Sequence, residues 1–288
     1  MTQPLTQVEI AQHFFDACKA ELKSLKPGNV HVYADGHRMT VEMFENSARA
    51  AAPCIAMRGE SVGKRIESAV AHSVANVGTN TNLGIMLLCA PLAAAVERAT
   101  GPLRVDLANV LSELTVDDAR ATYRAIARAN PAGLGTVEAA DITVPPEITL
   151  RAAMQLARGH DRIANAYATD YADVFDFALP ALTTARLSAQ TPERAVTTLH
   201  MCLLAQFPDT HIARKFGLKA AETVQDEAFR LEPHYLPAVG DESFKALQAY
   251  DADLKQRGLN PGTTADFVVA TLFAEKLLTA NRGVKRVK

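Results

Sequence analysis

Residues 73–95 read SVANVGTNTNLGIMLLCAPLAAA. The middle of this stretch, Gly78-Thr79-Asn80-Thr81-Asn82-Leu83-Gly84, is small and polar, and it runs directly into an apolar segment. From Leu83 to Thr100 the chain is apolar nearly all round, which predicts a helix buried on every side rather than one with a wet face. A surface turn needs one or two small polar residues. A longer run ahead of a buried helix predicts a helix start whose free N–H groups and side-chain dipoles face a ligand.

The segments around it read as helices too. Thr6-Gln7-Val8-Glu9 forms a capping box, followed by apolar Val8, Ala11, Phe14, Phe15, Cys18 and Leu22 at helical spacing. Helical periods continue over 41–52, 67–75, 116–129 (behind a cap at Thr115), 149–167, 218–231, 242–257 and 264–281. Pro192 sits at the first position of another helix that runs to about Gln206, and Gly258 closes one in the left-handed manner. The only strand candidate, Asn29–Tyr33, is short, and Pro145-Pro146 reads as a loop. The expectation is an all-α, single globular domain over residues 1–288. It has roughly nine to twelve helices around the buried central one, with 282–288 a flexible basic tail.

Composition narrows the function. Of the 288 residues, 48% are hydrophobic and 22% charged, as in a globular protein with a sizeable core. The formal net charge of -2 supplies no global field to draw nucleic acid or an anionic membrane, so neither is expected as a partner. The longest apolar run, Leu83–Val96, falls short of the ~18 residues a membrane span needs. Cys18, Cys54, Cys89 and Cys202 are scattered without ligand spacing, which predicts reduced core cysteines and a cytoplasmic location. An Ala-rich helical chain could carry a homodimer face on any helix.

Four polar islands interrupt the helical pattern: Lys26–His31, Gly78–Gly84, Pro208–Arg214 and Asn260–Asp266. Each lies at a helix end, where backbone N–H groups can hold an anion. Taken singly they are turns and caps. No GxxxxGK[ST] loop and no dinucleotide fingerprint occurs. Other polar groups read as structural: His72 with Asn76 as a helix-face pair, and Asp161-Arg162 as an ion pair.

In this order the islands resemble those of the triphosphoribosyl-dephospho-coenzyme A synthase family. The family's PKPGLVD/PKPGNVH segment is similar to Leu25–His31, its GVNTHKG to Gly78–Gly84, its DTN…RGG to Asp209-Thr210-His211 with Arg214, and its SPGGSAD to Asn260–Asp266. The resemblance spans about Glu21 to Leu277, and the family fold is all-α. Asn82-Leu83 replaces the family's His-Lys, and Lys215-Phe216 replaces its Gly-Gly. Asn130–Gly135 and Gly159–Ala164 resemble a divergent branch associated with tetrahydromethanopterin-linked one-carbon metabolism.

The resemblance implies an enzyme that joins ATP, through ribose C1, to the 2′-hydroxyl of dephospho-coenzyme A and expels adenine. The transition state is oxocarbenium-like. Mg²⁺ is the implied cofactor, held by Asp209 and Asp266 with phosphate oxygens. Lys26 and Arg214 would contact phosphate. Gly28, Asn29, Asn80, Thr81, Asn82, Thr210, Gly262 and Thr263 would bind ribose or phosphate. His31 or His211 would be the general base, with Asp266 also catalytic. The alternatives are a related transferase making a one-carbon carrier of tetrahydromethanopterin or methanofuran type, or a non-catalytic nucleotide-binding protein. In every case the partners are a small nucleotide and, for an enzyme, a cofactor-precursor acceptor.

Overall fold

The computed structural model describes residues 5–34, 39–79, 81–129 and 146–283; Asn80, Asn130–Gly135 and the end of the expected tail lie outside the described residues. Among the described residues there are fourteen α-helices and no strand. They are α1 (Gln7–Leu22), α2 (Val41–Ile55), α3 (Val62–Val77), α4 (Leu83–Arg98), α5 (Leu103–Ser112), α6 (Val116–Ala129), α7 (Leu150–Ala157) and α8 (Arg162–Ala168). After a π-helical turn at Asp173–Ala178 come α9 (Leu179–Ser188), α10 (Pro192–Gln206), α11 (Thr210–Phe216), α12 (Leu218–Arg230), α13 (Asp241–Gln256) and α14 (Gly262–Gly283). The count exceeds the expected range for two reasons. The short α5, α9 and α11 are not legible by periodicity. The segment expected as one helix over 149–167 is two, because the Asp161 carboxylate accepts from the N–H groups of Ile163 and Ala164 and so starts α8 afresh. The strand candidate at 29–33 survives only as an isolated bridge between His31 and Ala34.

The helices group into two compact units, one within residues 1–17, 46–172 and 272–288, the other within 18–45 and 173–271. In the first, α4 is the buried helix the sequence announces: Ile85 through Ala93, together with Ala95 and Val96, is buried. Pro91 sits inside it. A proline has no N–H, so the Leu87 carbonyl four residues earlier loses its helical partner, and the ring disturbs the next bonds. Two tyrosines from after α7 repair the damage. Tyr167 Oη donates to Leu87 O at 2.7 Å, and Tyr171 Oη donates to Leu88 O at 3.0 Å. Both tyrosines are fully buried. Elsewhere in this unit α3 and α6 touch backbone to backbone. A Cβ on Gly63 would lie 2.5 Å from Asp118 Cα, and Gly63 N–H donates to Asp118 Oδ1 at 2.8 Å.

The second unit has its own apolar core, in which Leu25, Leu204, Ile212, Val224, Leu247 and Leu254 bring together α10 to α13 and the turn after α1. Among the described residues no single helix is long and apolar enough to cross a membrane.

The α4 repair makes a prediction. Tyr167→Phe removes the hydroxyl and leaves Leu87 O buried without its donor, so it is expected to cost about 1–3 kcal/mol in urea unfolding. Pro91→Ala restores an N–H for that carbonyl, so the same Tyr167→Phe change should cost clearly less in that background. An equal cost in both backgrounds would refute the repair.

Candidate functional site

Three of the four islands, the first, third and fourth, meet in the second unit. The Lys26–His31 turn is held by Gly28, whose φ of +82° is a left-handed conformation suited to glycine. A Cβ at Gly28 would also meet Pro261 Cδ at 2.7 Å and Leu259 O at 2.9 Å, so the first and fourth islands are in backbone-level contact. Asn29 Nδ2 donates to Asn260 Oδ1 at 2.8 Å and ties them again.

The third and fourth islands are joined by Asp209. Its Oδ1 accepts from the N–H groups of His211 (2.9 Å) and Ile212 (3.0 Å) and starts α11. Its Oδ2 accepts from Thr264 N–H (2.7 Å) and Thr264 Oγ1 (2.8 Å) in the first turn of α14. Thr210 Oγ1 donates to Thr263 Oγ1 at 3.1 Å, and the His211 ring lies against Gly262, where a Cβ would come within 3.2 Å of Nδ1.

Burial divides the expected site residues into a frame and a face. Lys26, Gly28, Asn29, His31, Asp209 and Thr263 are buried. Thr210, His211, Arg214, Gly262 and Asp266 are half-buried, and these are the groups a ligand can touch. Two expectations are corrected on this ground. The Lys26 ammonium is fully buried, and its three protons go to Glu21 Oε1, Asn29 Oδ1 (3.0 Å) and Val30 O (2.6 Å), so it builds the turn rather than contacting phosphate. The Asp209 carboxylate already accepts four hydrogen bonds, filling the oxygen positions a cation would need. Asn29 is likewise committed, since its Oδ1 accepts from Lys26 Nζ and from Val30 N–H.

The second island belongs to the first unit and is described by itself. Gly78, at φ +75°, ends α3 with its N–H on Val74 O. Asn82 precedes α4, is buried, and its Nδ2 donates to Ser47 Oγ at 2.9 Å. The hydroxyl of the half-buried Thr81 is shielded and has no hydrogen-bond partner among the described residues. Leu83, where the resembled family has Lys, is half-buried.

The frame contains groups that sequence reasoning missed. Asp251 on α13 accepts from Gly28 N–H at 2.8 Å and from Lys255 Nζ at 3.0 Å, and it lies 3.2 Å from His31 Nε2. Lys255 Nζ also donates to Ala34 O at 3.1 Å. As a sequence, Asp251…Lys255 is an ordinary i,i+4 pair, and nothing marks it as buried. Glu21, five residues before Lys26, gave no signal either. His200 stood in the apolar run of α10, and a histidine on such a face is the one hint that sequence carried.

Burial dominates the electrostatics. It pushes the Glu21 carboxyl up and the Lys26 amine down, and the attraction between the two opposes both shifts. His31 is lowered by burial against the pull of Asp251. Asp251 itself would be raised by burial, but the hydrogen bond and charge of His31 and Lys255 prevail and hold it below its usual value. Burial, helped by the charge of Lys26, pushes His200 down to about 3.

A family model described as CitG: ATP:dephospho-CoA triphosphoribosyl transferase matches residues 7–284. A 2-(5''-triphosphoribosyl)-3'-dephosphocoenzyme-A synthase of Pectobacterium atrosepticum is 33% identical over 104 residues, which is 36% of this chain and 33% of the relative. The chain therefore aligns with about a third of that relative's length. A crystal structure from Archaeoglobus fulgidus, described as a proposed triphosphoribosyl-dephospho-coA synthase, matches with a TM-score of 0.62. The match covers 82% of this chain and 97% of that one at 22% identity, which establishes likeness of fold.

Two predictions follow from the buried charges. Lys26→Met strands the Glu21 carboxylate and is expected to cost about 3–5 kcal/mol in urea unfolding, whereas Glu21→Leu with Lys26→Met costs much less. A single change as mild as the double one would show that the pair is not buried. For His200, the folded pKa lies below the unfolded value of 6.5, so the native state binds fewer protons. Its contribution is fully present above pH 6.5 and is lost as pH falls toward about 3. Between pH 6.5 and 5 the wild type should lose about 2 kcal/mol more than His200→Gln; equal losses would place an ordinary, solvated imidazole at this position.

Proposed function

We propose, from the premise that the chain belongs to the ATP:dephospho-CoA triphosphoribosyl transferase family, that it transfers the triphosphoribosyl group of ATP to an alcohol hydroxyl. The reading we favour has the 2′-hydroxyl of dephospho-coenzyme A as acceptor and adenine as leaving group. The observation that carries it is the meeting of three distant segments around Gly28, Asp209 and Gly262, where half-buried His211, Arg214 and Asp266 sit on a rigid frame.

Such a reaction needs little covalent work from the protein. Charge builds on the ribose as the C1–N bond breaks, and positioned groups of fixed polarity stabilise it. Arg214 offers a planar fork suited to phosphate oxygens. In this reading Thr210 and the Gly262 backbone hold ribose or phosphate oxygens, and His211, whose ring lies against Gly262, is the proton acceptor. Mg²⁺ binds with few carboxylates and several phosphate or water oxygens, which a single half-buried Asp266 fits and the saturated Asp209 does not. Bound there with ATP, it would neutralise phosphate charge.

One observation favours a second acceptor. The second island presents buried Asn82 and apolar Leu83 where the family has His-Lys, so a cation that a coenzyme A phosphate could use is gone. A hydroxyl on a precursor of a one-carbon carrier is the alternative.

Mass spectrometry of adenine released from ATP and Mg²⁺ tests the reading. Release that depends on dephospho-coenzyme A is expected. Arg214→Ala and Asp266→Asn should each lower it by about 100-fold or more while the melting temperature stays near that of the wild type. Tight ATP binding without adenine release for any acceptor would mean a non-catalytic nucleotide-binding protein, and wild-type rates in both variants would remove these residues from the site.

A further inference from the structure

The buried network behind the first island has a direction, and it ends on a group that the site described above does not use. Asn29 Oδ1 faces two donors, the Val30 N–H at 2.8 Å and Lys26 Nζ at 3.0 Å. A backbone N–H cannot accept, so this atom of the Asn29 amide is the oxygen and the other is the nitrogen. The Asn29 nitrogen donates in turn to the Asn260 amide at 2.8 Å, so the Asn260 atom it meets is the oxygen. Chemistry alone therefore fixes both amides. Each turns its carbonyl back along the chain of bonds that begins at Lys26, and its NH₂ away from it. The Asn260 NH₂ is the last member. Among the described residues nothing accepts from it, Asn260 is half-buried, and its Nδ2 is not sealed from solvent.

We propose that Asn260 is a substrate-binding residue, whose Nδ2 donates to an oxygen of the nucleotide triphosphate. This rests on the transferase reading above and gives the phosphate end of its donor a further contact. The first reason is polarity. Two aligned amide dipoles present their positive end outward, and an anionic oxygen is the acceptor that such an end favours. Glu21 balances the Lys26 charge, so what reaches Asn260 is a directed dipole rather than a net charge. The second reason is place. The His211 ring lies against Gly262, and the Phe216 ring lies 3.9 Å from where a Cβ on Gly258 would stand. Helix α11 therefore runs beside residues 258–262. Asn260 is midway along that segment, and Arg214 lies on α11 between the two contact residues. A donor held from behind by Asn29 also loses little rotamer freedom when it engages a ligand.

The test measures, by calorimetry, the binding of Mg²⁺–ATP, inorganic triphosphate and adenosine to the full-length wild type, Asn260→Ala and Asn260→Asp. Asn260→Asp keeps the shape and an oxygen for Asn29, and puts an acceptor where the donor was. Asn260→Ala is expected to bind ATP and triphosphate about 10-fold more weakly and Asn260→Asp about 100-fold more weakly, with adenosine changed by less than about twofold. In ¹H–¹⁵N spectra of the wild type, the Asn260 side-chain NH₂ pair is assigned by its absence in the variants. It should shift with either phosphate probe and stay in place with adenosine. In the adenine-release assay KM for ATP should rise by the same factors, with kcat changed by less than about threefold. Wild-type affinity for ATP in Asn260→Asp overturns the proposal. So does a loss shared equally by adenosine, or a wild type that binds neither phosphate probe. If the wild type releases no adenine but the affinities change as stated, Asn260 stands as the phosphate contact and the transferase reading alone fails. Should Asn260→Asp fold poorly, because its charge is half-buried, Asn260→Ala and the wild-type spectra decide: unchanged ATP affinity with an unmoved NH₂ pair overturns the proposal.

Discussion

The second unit hangs on the Asp209 carboxylate. It is fully buried and would be an expensive charge if left alone. Instead each oxygen meets two donors at a different helix start, α11 on one side and α14 on the other. A carboxylate at a helix N-terminus is favoured by the dipole and by the free N–H groups. Here one side chain serves two such ends, separated by 55 residues in sequence. The placement of Thr210 and His211 follows from that link, because both sit in the first turn of α11 that it pins, and Asp266 follows one turn into α14.

The rest of the frame obeys the same rule, that a buried charge must be surrounded. Lys26 has three acceptors, Asp251 has donors on both oxygens, and the Glu21–Lys26 pair stays out of water altogether. A buried pair of this kind adds little net stability over an apolar one, but its partners must hold their geometry or the unpaired charge becomes costly. The effect is a stiff floor under the half-buried groups, which suits a site that must be in place before substrate arrives.

Much of the fold was legible, and particular residues show why. The long run from Leu83 could only be a buried helix, and the caps at Thr6 and Thr115 and the proline at 192 marked real starts. The helices that escaped notice, α5, α9 and α11, span seven to ten residues, too few for a period to emerge. At the site, sequence identified the islands but not the division of labour within them. Aspartate is both a good cap and a good cation ligand, so Asp209 fits either role until its donors are seen. Lysine reads as a phosphate contact until Glu21, Asn29 and Val30 are found around it. Asp251 was illegible because what matters about it is its long-range neighbours, of which local spacing carries no trace, and His200 offered only its place in the apolar run of α10.

The mended proline in α4 has a bearing on how the first unit assembles. A helix that completes its own hydrogen bonds can form early and locally. This one cannot, because the donors for Leu87 and Leu88 come from residues 80 and 83 positions away along the chain. Its middle therefore acquires full order only after a large loop has closed, which is the slow class of event in folding. The most apolar segment of the protein is thus the one that must wait for a distant part of the chain, and during synthesis its second half stays incomplete until Tyr171 has been made.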